Sequence, residues 1–329
     1  MYRKDRKPIL AAFLLAVAAG AFAPAAPAAQ DFPSHPVKLI VAAASGSSPD
    51  AISRQLANEL GIKWGQPVVV ENAVGLGGII GTEKAAKQAP DGYTLLISTI
   101  GAMSVGSSLM DLPYDPVKDL EPVTLSMSMP NLLVVHPSVP VKTLDELIAY
   151  GKQNPSKLRY GHPGIGTTPH LSAELLKDMT GLKMEPIPYK SSAQMATDLL
   201  AGHYEVLFHN SSVMLPYVQS GKARALAVTS AERVKTLPDI PTVAEAADLK
   251  GFSVNAWWGI YVPAGTPSGI VDKLNADITA ALRKPEIERW ITEQGGTVGG
   301  GSRDALRAYQ AEETRKWRDL IKKANIQAN

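Results

Sequence analysis

One arrangement occurs twice along the chain, at residues 37–60 and again at residues 158–176. In each copy an apolar stretch leads into a loop rich in Gly, Ser and Thr, which ends in a hydroxyl residue plus proline and is followed by a helical pattern. The first loop, residues 42–50, reads AAASGSSPD, and the second, residues 161–170, reads GHPGIGTTPH. Proline suits the first turn of a helix because its φ is already fixed near the helical value and it has no N–H to satisfy. Each copy is therefore predicted to form a strand, a tight loop and a helix.

The two predicted helix starts carry unused hydrogen-bond donors. Ser48 and Thr168 are the predicted N-cap residues, and Pro49 and Pro169 are predicted to take the first helical position. The first N–H groups of a helix have no partner within it, and the positive end of its dipole lies there, so such ends attract anions. If the two loops face each other across a cleft, they form a cage for a carboxylate that needs neither Lys nor Arg.

Apolar, β-branched stretches alternate with helical patterns along both halves of the chain. This alternation predicts strands of a parallel sheet with helices on both faces. A chain of this length usually forms more than one core. We predict an α/β fold of two lobes, each with a mixed, mainly parallel sheet flanked by helices, and with a hinge and a cleft between them. Lobe 1 is predicted to comprise residues 29–128 and 254–329, and lobe 2 residues 129–253, so that the chain crosses between lobes twice.

The first 28 residues have the pattern of an export signal. Four basic residues within the first seven precede an apolar segment at residues 9–22 and a tail of small residues, and we predict cleavage after Ala28 or Ala29. The apolar segment is short for a membrane span and is followed closely by prolines. The chain has no cysteine, so it forms no disulfide and carries no lipid-modified cysteine. We expect a freely diffusing periplasmic protein.

The charge balance gives no indication of nucleic-acid binding. The whole chain has a formal charge of +2, from 33 basic and 31 acidic residues, but the leader holds four of the basic residues and one acidic residue. The mature chain is therefore close to neutral. It shows no basic stripe interleaved with aromatic residues, which is the pattern typical of nucleic-acid-binding proteins.

Matched sequence blocks run in one order through essentially the whole mature chain. They include residues 36–41 (PVKLIV), 65–72 (GQPVVVEN), 75–78 (GLGG), 89–96 (APDGYTLL), 112–116 (LPYDP), 134–140 (VVHPSVP), 225–230 (ALAVTS), 238–246 (PDIPTVAEA) and 262–267 (VPAGTP). In these blocks the chain resembles the Bug receptors, the substrate-binding proteins of tripartite tricarboxylate transporters.

This resemblance implies the fold of a type II-like periplasmic binding protein. It also implies a receptor that holds a small carboxylate in the cleft with loop amides, hydroxyls and ordered waters, and that delivers it to a membrane permease. We expect a monomer that needs no cofactor. An amino acid or a tricarboxylate is an alternative ligand within the family. An exported hydrolase is an alternative from another class, but the chain contains no G-x-S-x-G, S-x-x-K or H-E-x-x-H motif.

The candidate ligand-binding residues lie in four segments that follow predicted strands. They are Ser45, Gly46, Ser47, Ser48 and Asp50; Thr99, Ile100 and Gly101; His162, Gly164, Thr167, Thr168 and His170; and His209 and Asn210. Some of them have a structural alternative. Asp50 can secure its loop by interacting with the helix dipole, residues 99–101 can form a simple turn, and His170 and His209 can be buried without touching a ligand. One of Trp257 and Trp258 is expected to line the cleft, without indication of which.

Two departures from the family pattern bear on the ligand. The first loop in this family usually resembles Pro-Phe-Ala-Ala-Gly-Gly-Ser-Thr-Asp, and here Ala43 stands at the Phe position. A block that is commonly Phe-Asp-Asn has His209 in place of the acid, so an imidazole that can donate a hydrogen bond replaces a carboxylate. We hypothesise an aromatic or medium-chain dicarboxylate such as terephthalate, with one carboxylate at residues 45–48 and the other near Thr167, Thr168, His170 and His209. Monocarboxylates stay open.

Two other patterns are not interpreted as binding sites. The glycines of residues 75–81 miss the G-x-G-x-x-G spacing by one residue, and we predict that they let a helix begin close to the sheet. Five of the six histidines fall in predicted lobe 2, but their spacing includes no helical His-x-x-x-His pair and no cysteine, so no metal site is predicted.

Overall fold

The computed structural model of this chain describes residue 1, residues 32–189 and residues 191–327. The predicted leader, residues 1–28, lies outside the described residues apart from Met1. Within the described part, no helix has both the length and the apolar character needed to cross a membrane.

Strands and helices alternate as the sequence pattern predicts. The strands are β1 Val37–Val41, β2 Val68–Asn72, β3 Thr94–Thr99, β4 Leu120–Val135, β5 Arg159–His162, β6 Glu185–Pro188, β7 Val206–Asn210, β8 Arg224–Val228, β9 Asn255–Pro263 and β10 Thr297–Gly300. The helices are α1 Ser48–Trp64, α2 Ile79–Ala86, α3 Leu144–Gln153, α4 Thr168–Thr180, α5 Ser192–Leu200, α6 Ser211–Gln219, α7 Val243–Ala246, α8 Ser268–Leu282, α9 Pro285–Glu293 and α10 Arg303–Lys323. Short helical turns lie at Leu76–Gly78, Gly101–Val105 and Gly106–Ser108. The predicted α/β fold is confirmed.

The long strand β4 joins two groups of strands. Up to Pro130 it pairs with β9 and β10, next to β3, β1 and β2, whereas from Asn131 onwards it pairs with β7 and β8, next to β5 and β6. We call these the first and the second strand group. The pairing changes close to residue 129, where lobe 2 is predicted to begin, and the predicted lobe boundaries themselves stay a prediction.

The expectation of mainly parallel sheets needs correction. Parallel pairs join β1 to β2 and β3, and β5 to β6 and β7. Antiparallel pairs join β9 to β3 and β4, and β4 to β7, β8 and β10, so among the described strands antiparallel pairs are slightly more numerous. The chain passes from the first strand group to the second along β4 and returns to the first with β9. Both of these strands run antiparallel to all their neighbours, which accounts for the difference.

The last helix, α10, packs along the first strand group through its apolar stripe. Leu306, Trp317 and Leu320 on this stripe are buried, as their helical spacing predicts. The hydroxyl of Tyr261 on β9 donates to Oε1 of Gln310 at 3.0 Å, so a buried polar pair also fixes the helix against the sheet.

Candidate functional site

A cavity of about 570 Å³ lies between the two strand groups. The first group and its loops contribute residues 76, 77 and 79, residues 99–101, and residues 105, 106, 109 and 110 to its walls, whereas residues 163–169 and 209–210 come from the second group. Residues 256–258, at the start of β9, complete the wall. Among the described lining residues there is no Asp, Glu, Lys or Arg, so a charged ligand here would be met by amides, hydroxyls and an imidazole.

The structure brings some of the predicted ligand-binding residues together at this cavity and leaves others outside its lining. Those at the cavity are Thr99, Ile100, Gly101, Gly164, Thr167, Thr168, His209 and Asn210. Those outside its lining are Ser45, Gly46, Ser47, Ser48, Asp50, His162 and His170. Contact of any of these residues with a ligand stays a prediction.

The two helix starts have nearly the same backbone geometry. Gly46 and Gly166 both have φ of 78°, in the left-handed region that favours glycine. The next residues are extended, Ser47 at φ −77° and ψ 164° and Thr167 at φ −75° and ψ 156°. Their hydroxyls donate to the carbonyl oxygens of residues 44 and 164 respectively, each at 2.6 Å. The sequence similarity of the two loops thus reflects a shared fold of the backbone.

The predicted N-cap position is wrong by one residue in both loops. Ser47 and Thr167 are the N-caps, because they are the last extended residues and their carbonyl oxygens accept the first helical hydrogen bonds, each at 2.9 Å. Each proline consequently occupies the second helical position. The cap hydroxyls bond back into their loops instead of accepting a hydrogen bond from the helix.

The first loop contains its own anion. Oδ2 of Asp50, at the third helical position, accepts a hydrogen bond from the backbone N–H of Gly46 at 2.9 Å and from Nε of Arg54 at 3.1 Å, while its Oδ1 accepts one from Nδ2 of Asn72 at 3.0 Å. Burial alone would raise the pKa of this carboxyl, but the hydrogen bonds from Arg54, Gly46 and Asn72 outweigh burial and lower it. Asp50 therefore secures the loop, as the structural alternative expects.

The second loop has a neutral side chain at the equivalent position. His170 is 5 % exposed, and its ring lies edge-on to that of His162 with 4.9 Å between centroids. Burial, with a smaller contribution from His162, lowers the pKa of His170 to about 4, and burial also lowers the pKa of His162. Behind them the carboxylate of Glu174 accepts hydrogen bonds from the hydroxyl of Tyr160 at 2.6 Å and from Lys177 at 2.7 Å. Both imidazoles are therefore uncharged at neutral pH.

The second loop also lies against the opposite wall of the cavity, whereas residues 44–46 of the first loop are exposed. A Cβ atom on Gly166 would lie 2.7 Å from Cδ1 of Leu109 and 3.0 Å from Cγ1 of Val105, both of the first-group wall. A Cβ atom on Gly46 would meet nothing within 4 Å. The second loop is thus the one that is enclosed between the two strand groups.

The wall around Thr99 is held together by close backbone packing. The hydroxyl of Thr99 donates to the carbonyl of Gly77 at 2.6 Å and accepts from the backbone N–H of Ala102 at 3.2 Å. A Cβ atom on Gly81 would lie 2.8 Å from Cα of Ala42 and equally close to the carbonyl oxygen of Ala73. Only glycine fits there, which confirms that these glycines let α2 begin close to the sheet.

His209, Asn210 and two tryptophans also line the cavity. Trp257 and Trp258 each contribute to the wall, although only one of them was expected there. Nε1 of Trp257 donates to the buried carboxylate of Glu313 on α10 at 3.3 Å, which fixes the indole ring in place. The register of β9 alone cannot reveal this, because two successive strand residues normally point to opposite faces.

Sequence reasoning misses the apolar part of the lining, which includes Leu76, Leu109, Met110 and Ile165. An apolar residue next to a glycine or a short turn has the same sequence signal whether it faces a core or a cavity. Among the described residues there is no group of three or more His, Asp or Glu side chains placed to hold a metal ion.

A family model, sequence relatives and solved structures all relate this chain to the same group of proteins. The family model described as "Tripartite tricarboxylate transporter family receptor" matches residues 52–326. Protein BugT of Bordetella pertussis is 37% identical over 301 residues, which cover 91% of this chain and 92% of BugT. The structure of R. palustris Rpa4515 with adipate superposes with a TM-score of 0.82 at 36% identity, covering 91% of this chain and 100% of that one. MatC from Rhodopseudomonas palustris with bound malate gives a TM-score of 0.76 at 31% identity, covering 88% of this chain and 100% of MatC.

Proposed function

This chain belongs to the tripartite tricarboxylate transporter receptors, among the Bug proteins, and from that premise we propose that it captures a small dicarboxylate in the cavity between its two strand groups. In this proposal the ligand is an aromatic or medium-chain dicarboxylate, of which terephthalate is one example. The loaded receptor delivers it to the membrane permease of the transporter.

The observation that carries the proposal is the cavity itself. Its volume, about 570 Å³, falls within the range of about 300 to 1,000 Å³ that is usual for small-molecule sites. Polar groups lie at residues 167–168 and 209–210, and apolar side chains such as those of Leu109 and Ile165 line the same cavity. This mixture of polar and apolar lining suits a ligand that has both carboxylates and a hydrocarbon body. The adipate in Rpa4515 and the malate in MatC support the same class of ligand.

We propose that hydrogen bonds to the ligand supply most of the affinity. The hydroxyl of Thr168 and the first amides of α4 donate to one carboxylate, beside Thr167, whose own hydroxyl already donates to the carbonyl of residue 164, and His209 and Asn210 face the other carboxylate. Each charge-assisted hydrogen bond contributes about 1.5 to 3 kcal/mol. The contribution of the helix dipole is smaller, up to about 2 kcal/mol when partly buried. His162 and His170 support this loop from behind.

The predicted role of residues 45–48 in holding a carboxylate is the alternative to the role that this proposal gives to His209 and Asn210. These residues lie outside the cavity lining, and Asp50 already accepts the N–H of Gly46. Their contribution is tested below against that of the second loop.

The proposed location is the periplasm, and the proposed acting form is a monomer. The export signal predicted for residues 1–28 supports this location. Binding that touches both strand groups would stabilise the closed arrangement, because a ligand shifts a conformational equilibrium only by its difference in affinity for the two states.

The experiment uses the mature chain, residues 29–329, in a thermal-shift screen followed by calorimetry. The ligands are adipate, terephthalate, malate, citrate and glutamate. We expect adipate and terephthalate to raise the melting temperature and to bind with the lowest dissociation constants. Tight binding of glutamate or of citrate, with adipate, terephthalate and malate all unbound, would contradict the proposal. Ligand recovered unchanged after incubation, checked by NMR, separates a receptor from the hydrolase alternative.

A further inference from the structure

The segment of residues 75–78 has an unusual backbone. Gly75, Leu76, Gly77 and Gly78 all have positive φ, at 145°, 48°, 66° and 106°. Glycine adopts such angles readily, but for an L-residue with a Cβ atom they cost free energy. Asn and Asp offset part of this cost with a local hydrogen bond, whereas leucine has no polar group to do so. Leu76 is the one aliphatic side chain with positive φ in the described part of the chain.

The side chain of Leu76 is also exposed. It is 67% exposed although it lines the cavity. A single exposed leucine is ordinary in proteins. A leucine that is both exposed and held in the left-handed region gains nothing from burial to offset its backbone conformation. Such a combination in the lining of a cavity is a reason to look for a function of the residue there.

Other apolar side chains of the lining come from both walls. Met110, 40% exposed, and Leu109 lie on the first-group wall together with Leu76, and Ile165 lies on the second-group wall. The polar side chains of the same cavity include those of Thr99, Thr167, Thr168, His209 and Asn210. A hydrocarbon chain or ring in this cavity would therefore cover exposed apolar surface.

We propose that Leu76 is a specificity-determining residue that packs on the hydrocarbon body of the ligand. It selects dicarboxylates whose carboxyl groups are separated by four carbons or by an aromatic ring over shorter, hydroxylated ones. The inference rests on the proposed function, since it concerns the ligand of the same cavity. The free energy of covering Leu76 is available only with a ligand long enough to reach it.

The test compares Leu76→Ala and Leu76→Gly with the wild-type mature chain by calorimetry, with adipate, terephthalate and malate as ligands. Both substitutions remove the side chain, and Leu76→Gly also removes the backbone cost. We expect each variant to bind adipate and terephthalate about tenfold more weakly, while malate affinity changes by less than about twofold. Leu76→Gly should melt at a higher temperature than Leu76→Ala. Ile62→Ala is the control, because Ile62 is 72% exposed and lies outside the cavity lining.

The outcomes separate the inference from the function. A wild-type chain that binds none of the three ligands would overturn the proposed function and the inference with it. A wild-type chain that binds adipate, with the same adipate-to-malate ratio of dissociation constants in both Leu76 variants, would overturn the inference alone. An equal loss of affinity for malate and adipate in Leu76→Gly would also overturn it, because Leu76 would then act on the shape of the site and not on ligand length.

Discussion

The loops before α1 and α4 have almost the same backbone conformation, but one carries a carboxylate at the position where the other carries an uncharged side chain. In both, a glycine at φ 78° precedes an extended Ser or Thr whose hydroxyl bonds back into the loop. In the first loop the third helical residue is Asp50, which accepts the N–H of Gly46. In the second loop it is His170, which is uncharged at neutral pH. The first loop thus already has a carboxylate of its own on one of its amides, that of Gly46, whereas the equivalent residue of the second loop carries no charge.

The two loops also differ in how exposed they are. Gly46 is exposed, whereas Gly166 is buried against Leu109 from the other strand group. Two loops of similar sequence thus differ in the residue two positions after the first helical one and in burial, and our proposal assigns ligand binding to the second loop because of these two differences.

The largest expected effect is on the pH dependence of stability, because each loop should lose its contribution to the free energy of unfolding over a different pH range. His170 has a pKa of about 4 when folded against 6.5 unfolded, so the unfolded chain binds more protons between these values. The stability that depends on neutral His170 is therefore complete above pH 6.5 and is lost as the pH falls towards 4, by on the order of 3 kcal/mol. Of the charged groups facing His170, Glu174 raises its pKa and Lys177 lowers it, so the two partly cancel. His162 lowers the pKa of His170 further, and its own pKa is lowered by burial, so it adds to the loss of stability at low pH.

Urea unfolding of the mature chain at pH 7, 5 and 4 measures this effect, with His170→Asn as the comparison. The variant should lose clearly less stability than the wild type between pH 7 and pH 4. Equal losses in the two proteins would show that His170 is not held neutral by its surroundings. The contribution of Asp50 differs in range, because its pKa is lowered from 3.8, so it is complete above pH 3.8 and is lost only below that value.

A smaller effect is expected from Asp50→Asn, which should lower the free energy of unfolding at pH 7 by about 1 to 3 kcal/mol. The ion pair with Arg54 contributes little because Arg54 is about half-exposed, so the loss comes mainly from the hydrogen bonds of Gly46 and Asn72. Asp145→Asn is the matched control, since Asp145 is an exposed acid in the first turn of α3 and should change stability by less than about 0.5 kcal/mol. Chemical denaturation at pH 7 measures both. Equal values for the two variants would contradict the assigned role of Asp50.

The smallest expected effect is the change in adipate affinity when a single hydroxyl is removed. Thr168→Ala should weaken adipate binding about tenfold, the equivalent of one charge-assisted hydrogen bond, while Ser48→Ala should change it by less than about twofold. The reason is that Thr168 lines the cavity and Ser48 does not. Calorimetry gives the affinities, and melting temperatures show whether either helix start is weakened. If Ser48→Ala also costs about tenfold, the role predicted for residues 45–48 holds and the contrast between the loops is weaker than described.

Local patterns in the sequence predict the elements, and tertiary packing decides the rest. The βα alternation and the stripe of Leu306, Trp317 and Leu320 follow from periodicity, and the structure contains both. The antiparallel pairing of β4 with β9 cannot be predicted in this way, because it joins strands that are more than a hundred residues apart. The helix starts are predicted to within one residue, which is the usual precision of helix boundaries.

The candidate site likewise contains residues that the sequence predicts and residues that only the tertiary packing reveals. The hydroxyls at residues 167–168 and the block around His209 have a sequence signal, and both lie at the cavity. The exposure of residues 44–46 has none, because the two loops have similar composition and differ in what the opposite wall places against them. Leu76 is likewise invisible, since its positive φ follows from the glycines around it and its exposure from the shape of the cavity.

The most direct measurement is the adipate dissociation constant of His170→Asp compared with that of His170→Asn, both determined by calorimetry at pH 7. The two substituted side chains have nearly the same shape, but only Asp supplies a carboxylate at the position that Asp50 occupies in the first loop. We predict that His170→Asn binds within about threefold of the wild type and that His170→Asp binds at least about tenfold more weakly than His170→Asn. Equal dissociation constants for the two variants would contradict the claim that the second loop binds the ligand because it lacks an anion of its own.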